Sequence, residues 1–385
     1  MDRRLHNKEM RMADRLAARQ KWELLLSGGD PGPMVSPLCD DWSLDVPYSW
    51  PYPEPDPFPP GHSKHTLSQQ MAMAGLCGWE PTFLCTLDMP PRDAEVLPRT
   101  VTSQEGGATR TTSEIRTPYG TLTSITEAQR TSRTLKPWIE TEADFHRMSW
   151  VARKVADYDE DAAIEQGRVL CAAVGDRGVL GTWFGPPIGY NLNRDAMFYH
   201  LADWPEAFEE LHQATRALAF RQIETLRKAG FDYLFYCVDA TEWISPDFFR
   251  RWILEDTRRL FARWHELGGF VLWHSCGKVA TFLAQGFYND LAPDVLETLS
   301  EAPLGDLPSL RWARDRLDRK IITKGNIGLD ILLGGTEEEV RREVSRVRGE
   351  TAGYRHVVGL SDDILKGTPL RNARALVEES RASIR

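Results

Sequence analysis

A histidine and a cysteine lie two residues apart at the end of the segment GGFVLWHSCGK (268–278). The segment reads as a short apolar strand, in which side chains two residues apart point to the same face. Leu272, His274 and Cys276 therefore share one face, and the two donors follow the apolar part. A thiolate and an imidazole suit a borderline-soft ion such as zinc. An H-x-C pair can also be a buried thiol beside a hydrogen-bonded histidine, but its place at a strand end favours the metal site.

The composition is that of a soluble globular protein, with 42% hydrophobic and 27% charged residues in a chain of 385. The net charge of -9 argues against nucleic-acid or anionic-membrane partners. The first 26 residues are charged throughout, so they resemble neither a signal peptide nor a membrane span. The six cysteines are scattered without C-x-x-C pairs, which is typical of reduced thiols. We therefore predict a cytoplasmic protein.

Helical and extended stretches alternate along most of the chain, as they do in parallel β/α units. The strand candidates are 34–42, 75–87, 178–185, 231–239, 269–277, 294–301, 320–328 and 354–363. Eight such units predict the α/β class and a (β/α)8 TIM barrel, whose active site lies at the carboxyl ends of the strands. A doubly wound open sheet is the alternative, but no G-x-G-x-x-G follows the first strand.

Two segments stand apart from this alternation. Residues 1–32 are predicted to be an amino-terminal helical extension, ended by Gly28 and Gly29, before a main domain over 33–385. Residues 96–133 are rich in threonine and carry turn signals, which predicts a β excursion of two or three antiparallel strands. The proline- and aromatic-rich stretch 46–61 is either a surface excursion or a lid.

Polar side chains collect at the predicted strand ends, which a barrel brings to one mouth. They are Asp40, Asp41, Asp239, Glu242, His274, Cys276, Glu297, Asn326, Asp362 and Asp363. A single carboxylate of this kind is more often a cap or a solvated group. Together with a thiolate and an imidazole, these residues predict a metal site with three or four ligands. No nucleophile elbow, P-loop or H-E-x-x-H motif is present.

Five segments carry a family resemblance: SPDFFRRWI (245–253), HSCGK (274–278), LETLSEAPLGDL (296–307), KGNIGLDILLGGTEEEVRREV (324–344) and GTPLRNARALVE (367–378). In this order they resemble the uroporphyrinogen decarboxylase superfamily, from about Pro33 to about Glu379. The resemblance implies a (β/α)8 barrel. True uroporphyrinogen decarboxylases carry an arginine-bearing segment near the amino end. The corresponding SPLCDDWSL (36–44) has no arginine, which weakens the porphyrinogen interpretation.

The corrinoid-linked methyltransferase branch of that superfamily is a better match. Its zinc is held by an H-x-C on strand five and a cysteine after strand eight. His274 and Cys276 match the first two positions, whereas Asp362 stands at the third when the chain is aligned on residues 368–370. A carboxylate in place of a thiolate gives a harder ion, which is the better Lewis acid toward oxygen.

The resemblance therefore implies a zinc-dependent enzyme that moves a methyl group from a small methoxylated donor to a corrinoid (cobalamin) cofactor on a partner protein. Three alternatives stay open: methylcobalamin-dependent thiol methylation, decarboxylation of a tetrapyrrole or small carboxylate, and a non-enzymatic scaffold. A homodimer is also left open.

The other candidates have roles around the metal. Glu297 is expected to be a fourth ligand or to handle protons, and Asp239 and Glu242 to act as general acids at the leaving oxygen. Turn capping before Ser245 is the alternative for the last two. Candidates for binding the substrate are Asp41, Trp183, Tyr190, Trp243 and Asn326. Ordinary core or loop packing is the alternative for the aromatic members.

Overall fold

A computed structural model of the chain describes residues 16–39, 64–188, 196–238 and 242–382. The chain divides into two compact units. The first takes in Met1–Leu87, Glu165–Gly185 and Leu226–Arg385, and the second takes in Asp88–Ile164 and Pro186–Thr225. The segments predicted to form barrel strands belong to the first unit, and the threonine-rich excursion belongs to the second.

The strands of the described ranges are, in chain order, β1 (Thr82–Leu84), β2 (Arg99–Glu105), β3 (Ala108–Thr117), β4 (Gly120–Ala128), β5 (Ser132–Lys136), β6 (Val179–Phe184), β7 (Tyr233–Cys237), β8 (Phe270–Ser275), β9 (Val295–Thr298), β10 (Ile322–Ile327) and β11 (His356–Leu360).

The α-helices of the same ranges are α1 (Ala18–Leu26), α2 (Lys64–Cys77), α3 (Glu142–Val155), α4 (Glu160–Val174), α5 (Ala196–Asp203), α6 (Pro205–Ala229), α7 (Pro246–Phe249), α8 (Glu255–Glu266), α9 (Ala280–Ala284), α10 (Phe287–Leu291), α11 (Leu310–Arg314), α12 (Leu329–Gly334), α13 (Glu337–Glu350) and α14 (Leu370–Arg381). A π-helical turn, Arg250–Leu254, joins α7 to α8. In the described ranges, no helix is long and apolar enough to cross a membrane.

Seven strands of the first unit form a parallel sheet in the order β1-β6-β7-β8-β9-β10-β11. The order of these strands in the sheet is therefore the same as their order along the chain. Helices occupy the connections, as parallel pairing requires. The alternation predicted the parallel arrangement and the α/β class, and both are confirmed.

One face of every strand in this sheet meets a single apolar cluster. Its members are Leu84, Val179, Tyr233, Phe235, Phe270, Leu272, Val295, Ile322 and Val357 from the strands, with Trp22, Leu25, Met34 and Leu38 from the amino-terminal part. Because residues of both edge strands, β1 and β11, share this cluster, the sheet is curled around it. Two members come from α1, so the amino-terminal helix contributes to this core.

The first predicted strand, 34–42, departs from the prediction. In the described part of this segment, Val35 forms an isolated parallel bridge with Val358, and Leu38 forms one with Asp363. From the first bridge to the second, this segment advances from 35 to 38 while its partner advances from 358 to 363, so the two bridges differ in register and no continuous ladder joins them. The described residues form a curled seven-stranded parallel sheet, and its closure into the predicted eight-stranded barrel stays a prediction.

Other boundaries also differ from the prediction. The stretch 75–87 was predicted to be extended, but α2 continues to Cys77 and β1 covers only Thr82–Leu84. The excursion in the second unit has four antiparallel strands in the order β2-β3-β4-β5, not two or three, and it extends to Lys136. In that unit Ile115 and Leu122 of the sheet pack against Val151 of α3.

Short polar residues fix where several helices of the first unit begin. Ser245 accepts a hydrogen bond from the Phe248 amide at the start of α7, and Pro246 follows it. Ser309 accepts in the same way from the Trp312 amide at α11. Before α13, the Thr336 hydroxyl accepts from the Glu339 amide at 3.3 Å, and the Glu339 carboxylate accepts from the Thr336 amide at 2.8 Å.

A buried carboxylate, Glu80, joins three separate parts of the first unit. Its Oε1 accepts from Lys21 of α1 and from Arg381 of α14, each at 2.7 Å. Its Oε2 accepts from the Val35 amide at 3.0 Å. Its backbone N–H donates to the Val35 carbonyl at 2.8 Å. Glu80 thus ties both ends of the described chain to the segment that precedes β1.

Replacing this carboxylate should destabilise the first unit. We expect Glu80→Gln to lower the free energy of unfolding by about 3 kcal/mol, because Lys21 would keep a largely buried charge without its partner. Urea denaturation followed by tryptophan fluorescence measures the loss. Glu378→Gln is the matched control, since Glu378 pairs with Arg341 on the exposed surface and such pairs contribute below about 1 kcal/mol. Equal effects of the two substitutions would contradict the structural role of Glu80.

Candidate metal centre

Four chemically active side chains form a row across adjacent strands. Cys237 of β7 is in register with His274 of β8, His274 with Glu297 of β9, and Glu297 with Lys324 of β10. Each lies two residues after a member of the apolar cluster, so strand alternation directs all four to the inner face. The inner face therefore changes from apolar to polar in one step toward the carboxyl ends of the strands.

Two further donors come from the loops after the strands. Cys276 follows β8, and the next residue, Gly277, has φ +78°, a conformation that favours glycine. Asp362 follows β11. The ligand atoms of His274, Cys276 and Asp362 all lie within 4.8 Å of one another. The structure thus brings together the three residues that the sequence predicted as metal ligands.

His274 is held by Glu297. Its Nδ1 lies 2.7 Å from Glu297 Oε1, and its Nε2 lies 3.6 Å from Asp362 Oδ1. Lys324 Nζ donates to the other oxygen of Glu297, Oε2. Both oxygens of Glu297 therefore have protein partners. The expectation that Glu297 is a fourth ligand or handles protons stays a prediction, and in this structure its contact with Nδ1 can orient the imidazole.

The charges of the row shift its pKa values in opposite directions. Burial by itself raises the pKa of Glu297, but the Lys324 charge and the bond to His274 outweigh it and lower that pKa. Burial by itself lowers the pKa of His274, but Cys276 and Glu297 raise it to about 10. The anionic Cys276 and Glu297 thus stabilise the protonated imidazole of His274. A cation bound at Nε2 would compete with the proton on that atom.

Cys276 is a strongly acidic thiol. A hydrogen bond with Cys237 contributes most, and together with the hydrogen bond and charge of His274 it outweighs burial and lowers the pKa of Cys276 to about 5. In contrast, burial raises the pKa of Cys171, in α4, to about 12. Cys276 therefore has the thiolate character that a metal ligand or a nucleophile requires.

Aromatic rings line one side of the histidine. Phe235 stacks on the His274 ring at a centroid distance of 5.1 Å, and Trp183 lies 6.4 Å away on an edge-to-face geometry. Trp183 is 45% exposed, so part of its ring is open to a ligand. Glu242 also approaches this site, because a Cβ built on Gly277 would lie 3.5 Å from its Oε2.

Asn326 has a different place from the one predicted. Alternation along β10 would direct it inward, but Gly325 has φ +137° and interrupts the alternation. The Asn326 amide instead donates to the Leu299 carbonyl at 3.0 Å and accepts from Arg346 at 3.1 Å. Leu299 itself has a positive φ of 52°. Asn326 therefore supports the backbone after β9, and its predicted contact with the substrate stays a prediction.

The other predicted residues are exposed, hydrogen-bonded within their own loop or outside the described residues. Trp243 is 59% exposed. Asp40, Asp41, Tyr190, Asp239 and the aromatic residues of 48–58 lie outside the described residues. The Asp363 side chain forms a hydrogen bond within its own loop, where its Oδ1 accepts from the Ile364 amide at 2.7 Å.

Sequence analysis missed two residues of the row. Cys237 was treated as an ordinary buried thiol, and Lys324 was noted only as part of a motif. A signal for Lys324 was present, since a lysine on the apolar face of a central strand is rare unless it is paired. Cys237 could be found only from the register of β7 and β8.

Comparison with known proteins bears on the family. Residues 193–383 match the family model "Uroporphyrinogen decarboxylase (URO-D)". This part of the chain is a uroporphyrinogen decarboxylase superfamily domain. The family match confirms the resemblance for these residues. No curated protein sequence matches the chain.

Two solved structures are similar to the whole chain. A methyltransferase from Methanosarcina mazei has a TM-score of 0.63 at 14% identity, covering 95% of this chain and 98% of that chain. A B12-independent methionine synthase from Shewanella sp. W3-18-1 has a TM-score of 0.43 at 12% identity, covering 91% of this chain and 96% of that chain. At these identities the first similarity shows the fold alone.

The acidity of Cys276 leads to a test. In protein freed of metal by a chelator, we expect its alkylation rate to follow a titration near pH 5. Cys237→Ala should move the midpoint upward by about two units toward the usual value, which slows alkylation at about pH 6 roughly tenfold. Iodoacetamide labelling with mass spectrometry of the Cys276 peptide measures this. Cys171→Ala is the control, and an unchanged profile in Cys237→Ala would contradict the hydrogen bond.

Proposed function

We propose that this protein is a zinc-dependent methyltransferase that moves a methyl group from a small O-methyl substrate to a corrinoid carried by a partner protein. The observation that carries the proposal is the thiol–imidazole–carboxylate cluster of Cys276, His274 and Asp362 at the carboxyl ends of a curled parallel sheet. In folds of this kind that edge is where reactions occur. The superfamily match over 193–383 supports an enzyme of this class.

The donor set fits zinc. Tetrahedral zinc with bonds of about 2.0–2.1 Å to nitrogen and oxygen needs those donors about 3.4 Å apart, and His274 Nε2 lies 3.6 Å from Asp362 Oδ1. The Nδ1 of the same ring already has a carboxylate partner, which is the usual companion of a zinc-bound histidine. Three protein ligands would leave a fourth position for the substrate. Bound there, zinc would supply Lewis-acid stabilisation of a leaving oxygen.

The chain's own residues would orient the donor and handle the proton. Asp362 is 43% exposed at its side chain, so the cluster can be approached from its side. The exposed edge of Trp183 offers an apolar wall for the group that carries the methoxy oxygen. When the carbon–oxygen bond breaks, its electron pair stays on oxygen, which needs a proton. Glu242 is the described carboxylate we propose for this donation, and Asp239 stays a second candidate.

The carboxylate favours oxygen over sulfur in the methyl donor. Two thiolates would make an electron-rich centre suited to a thiolate substrate, whereas one thiolate and one carboxylate leave a harder ion. The second candidate function, methylation of a thiol by methylcobalamin, would need Cys237 to bind the metal as a second sulfur ligand, instead of donating a hydrogen bond to Cys276 as it does in this structure.

Metal content gives the first test of this proposal. We expect about one zinc per chain in the purified protein and in Cys171→Ala, and a loss of more than about tenfold in zinc affinity in Cys276→Ala and Asp362→Asn, because each removes a ligand. Inductively coupled plasma mass spectrometry after dialysis measures occupancy. Equal zinc in all four proteins would contradict the assigned ligands.

Methyl transfer gives the second test. Free cobalamin, reduced to its Co(I) state, should become methylcobalamin when the protein and a suitable methoxy compound are added, and the visible spectrum reports this change. Cys276→Ala should lower the rate by at least about 100-fold, since loss of charge stabilisation at the leaving group costs this much.

The panel of donors must separate the alternatives. Methoxy compounds and methyl thioethers are tested side by side, with Cys171→Ala as the matched control. Reaction with thioethers alone, or methylation of free thiols by methylcobalamin, would replace the proposal with the second candidate. Release of CO₂ from a carboxylated substrate by zinc-free protein would replace both with a decarboxylase.

A further inference from the structure

Lys324 is a buried cation. It is neither one of the proposed metal ligands nor the proposed proton donor. Its side chain is 2% exposed, and so is that of Glu297, its partner. Two residues before it, Ile322 belongs to the apolar cluster. Burying an ammonium group costs several kcal/mol unless it is paired and hydrogen-bonded. A lysine at this position therefore needs Glu297, and Glu297 needs the lysine.

The neighbouring strand leaves space for this lysine. A Cβ on Gly359 of β11 would lie 3.2 Å from Lys324 Cγ and 3.1 Å from the Ser36 carbonyl oxygen. Gly359 is not among the glycines with positive φ. Glycine at position 359 therefore leaves space for the lysine stem and for segment 34–38. It is not required there by a special backbone conformation.

The ion pair acts on His274 through the two oxygens of one carboxylate. Lys324 holds Oε2, and Oε1 lies 2.7 Å from His274 Nδ1. A carboxylate at Nδ1 requires the hydrogen to be on that nitrogen, so Nε2 is the atom that can bind a cation. The stacked ring of Phe235 limits rotation of the imidazole from one side.

We propose that Lys324 is a positioning residue of the metal centre, which fixes Glu297 and thereby the orientation in which His274 offers Nε2 to zinc. This inference rests on the zinc site of the proposed function. Lys324 also balances the charge of Glu297. Without it, a third anion would stand beside Cys276 and Asp362, and the centre would be a weaker Lewis acid toward a substrate oxygen.

The test measures metal binding in the absence of any methyl donor. Zinc affinity is determined by competition with a chromophoric chelator, and the site is also read from the absorption bands of the Co²⁺-substituted protein. The variants are Lys324→Met, Lys324→Arg, Glu297→Gln and the double variant of Lys324→Met with Glu297→Gln. Lys320→Met is the matched control, because Lys320 is an exposed lysine four positions earlier.

We expect Lys324→Met to weaken zinc binding about 10–100-fold and to alter the Co²⁺ bands, which is the usual effect of losing a group that orients a ligand. Lys324→Arg should recover most of the affinity, and Lys320→Met should not change it. The double variant should bind zinc as Glu297→Gln does, within about twofold, because the two residues act as one unit.

Wild-type affinity and spectrum in Lys324→Met would overturn the inference. If Lys324→Met does not fold, the double variant decides, because it contains no unpaired buried charge. A further loss of more than about tenfold relative to Glu297→Gln would then show that Lys324 does not act through Glu297. These outcomes leave the methyl-transfer proposal standing. That proposal fails separately, if the wild-type protein binds zinc and does not form methylcobalamin.

Discussion

The inner face of the sheet is organised by one buried carboxylate. Glu297 is fully enclosed, and a carboxylate in such a place must have its charge and its lone pairs satisfied by the protein. Lys324 supplies the charge and His274 supplies a second hydrogen bond. Each of these partners is itself buried, so each depends on the same arrangement. Gly359 leaves room for the lysine stem and Phe235 supports the imidazole. Removing the polar group of Lys324, Glu297 or His274 would leave another polar group inside the sheet without a partner.

Along each strand, the apolar residue of the core and the polar residue of the candidate site are only two positions apart. Phe235, Leu272, Val295 and Ile322 belong to the apolar cluster, and the next inward residues are Cys237, His274, Glu297 and Lys324. Burying each large apolar side chain contributes about 1.5–3 kcal/mol, so the cluster can support a layer of polar groups whose burial is costly. The parallel register also explains why the row is continuous, since in-register residues on adjacent strands face the same way.

Some of this arrangement could be predicted from the sequence. His274 and Cys276 are two residues apart, so strand alternation predicted that their side chains share one face. The family resemblance indicated Asp362. Cys237 could not be found in that way, because register between strands is set by packing in three dimensions. Lys324 did carry a signal of its own, as a lysine on the apolar face of a central strand. Asn326 was chosen from its place at a strand end, which does not reveal that its side chain bonds to the Leu299 carbonyl and to Arg346. The described part of the first predicted strand forms only two isolated bridges, which differ in register, and this too could not be predicted from a local pattern.

The mixture of donors at the centre limits the reactions that it can support. Asp362 is partly exposed and hard, whereas Cys276 is half-buried, soft and adjacent to a second thiol, Cys237. A hydrogen bond from Cys237 draws electron density from the Cys276 sulfur, so that thiolate donates less to a bound cation. The neutral Lys324–Glu297 pair adds no net charge, and one carboxylate replaces a more electron-rich thiolate. These three features act in the same direction, because each leaves a bound cation more electrophilic and so better suited to an oxygen leaving group than to activating a thiolate.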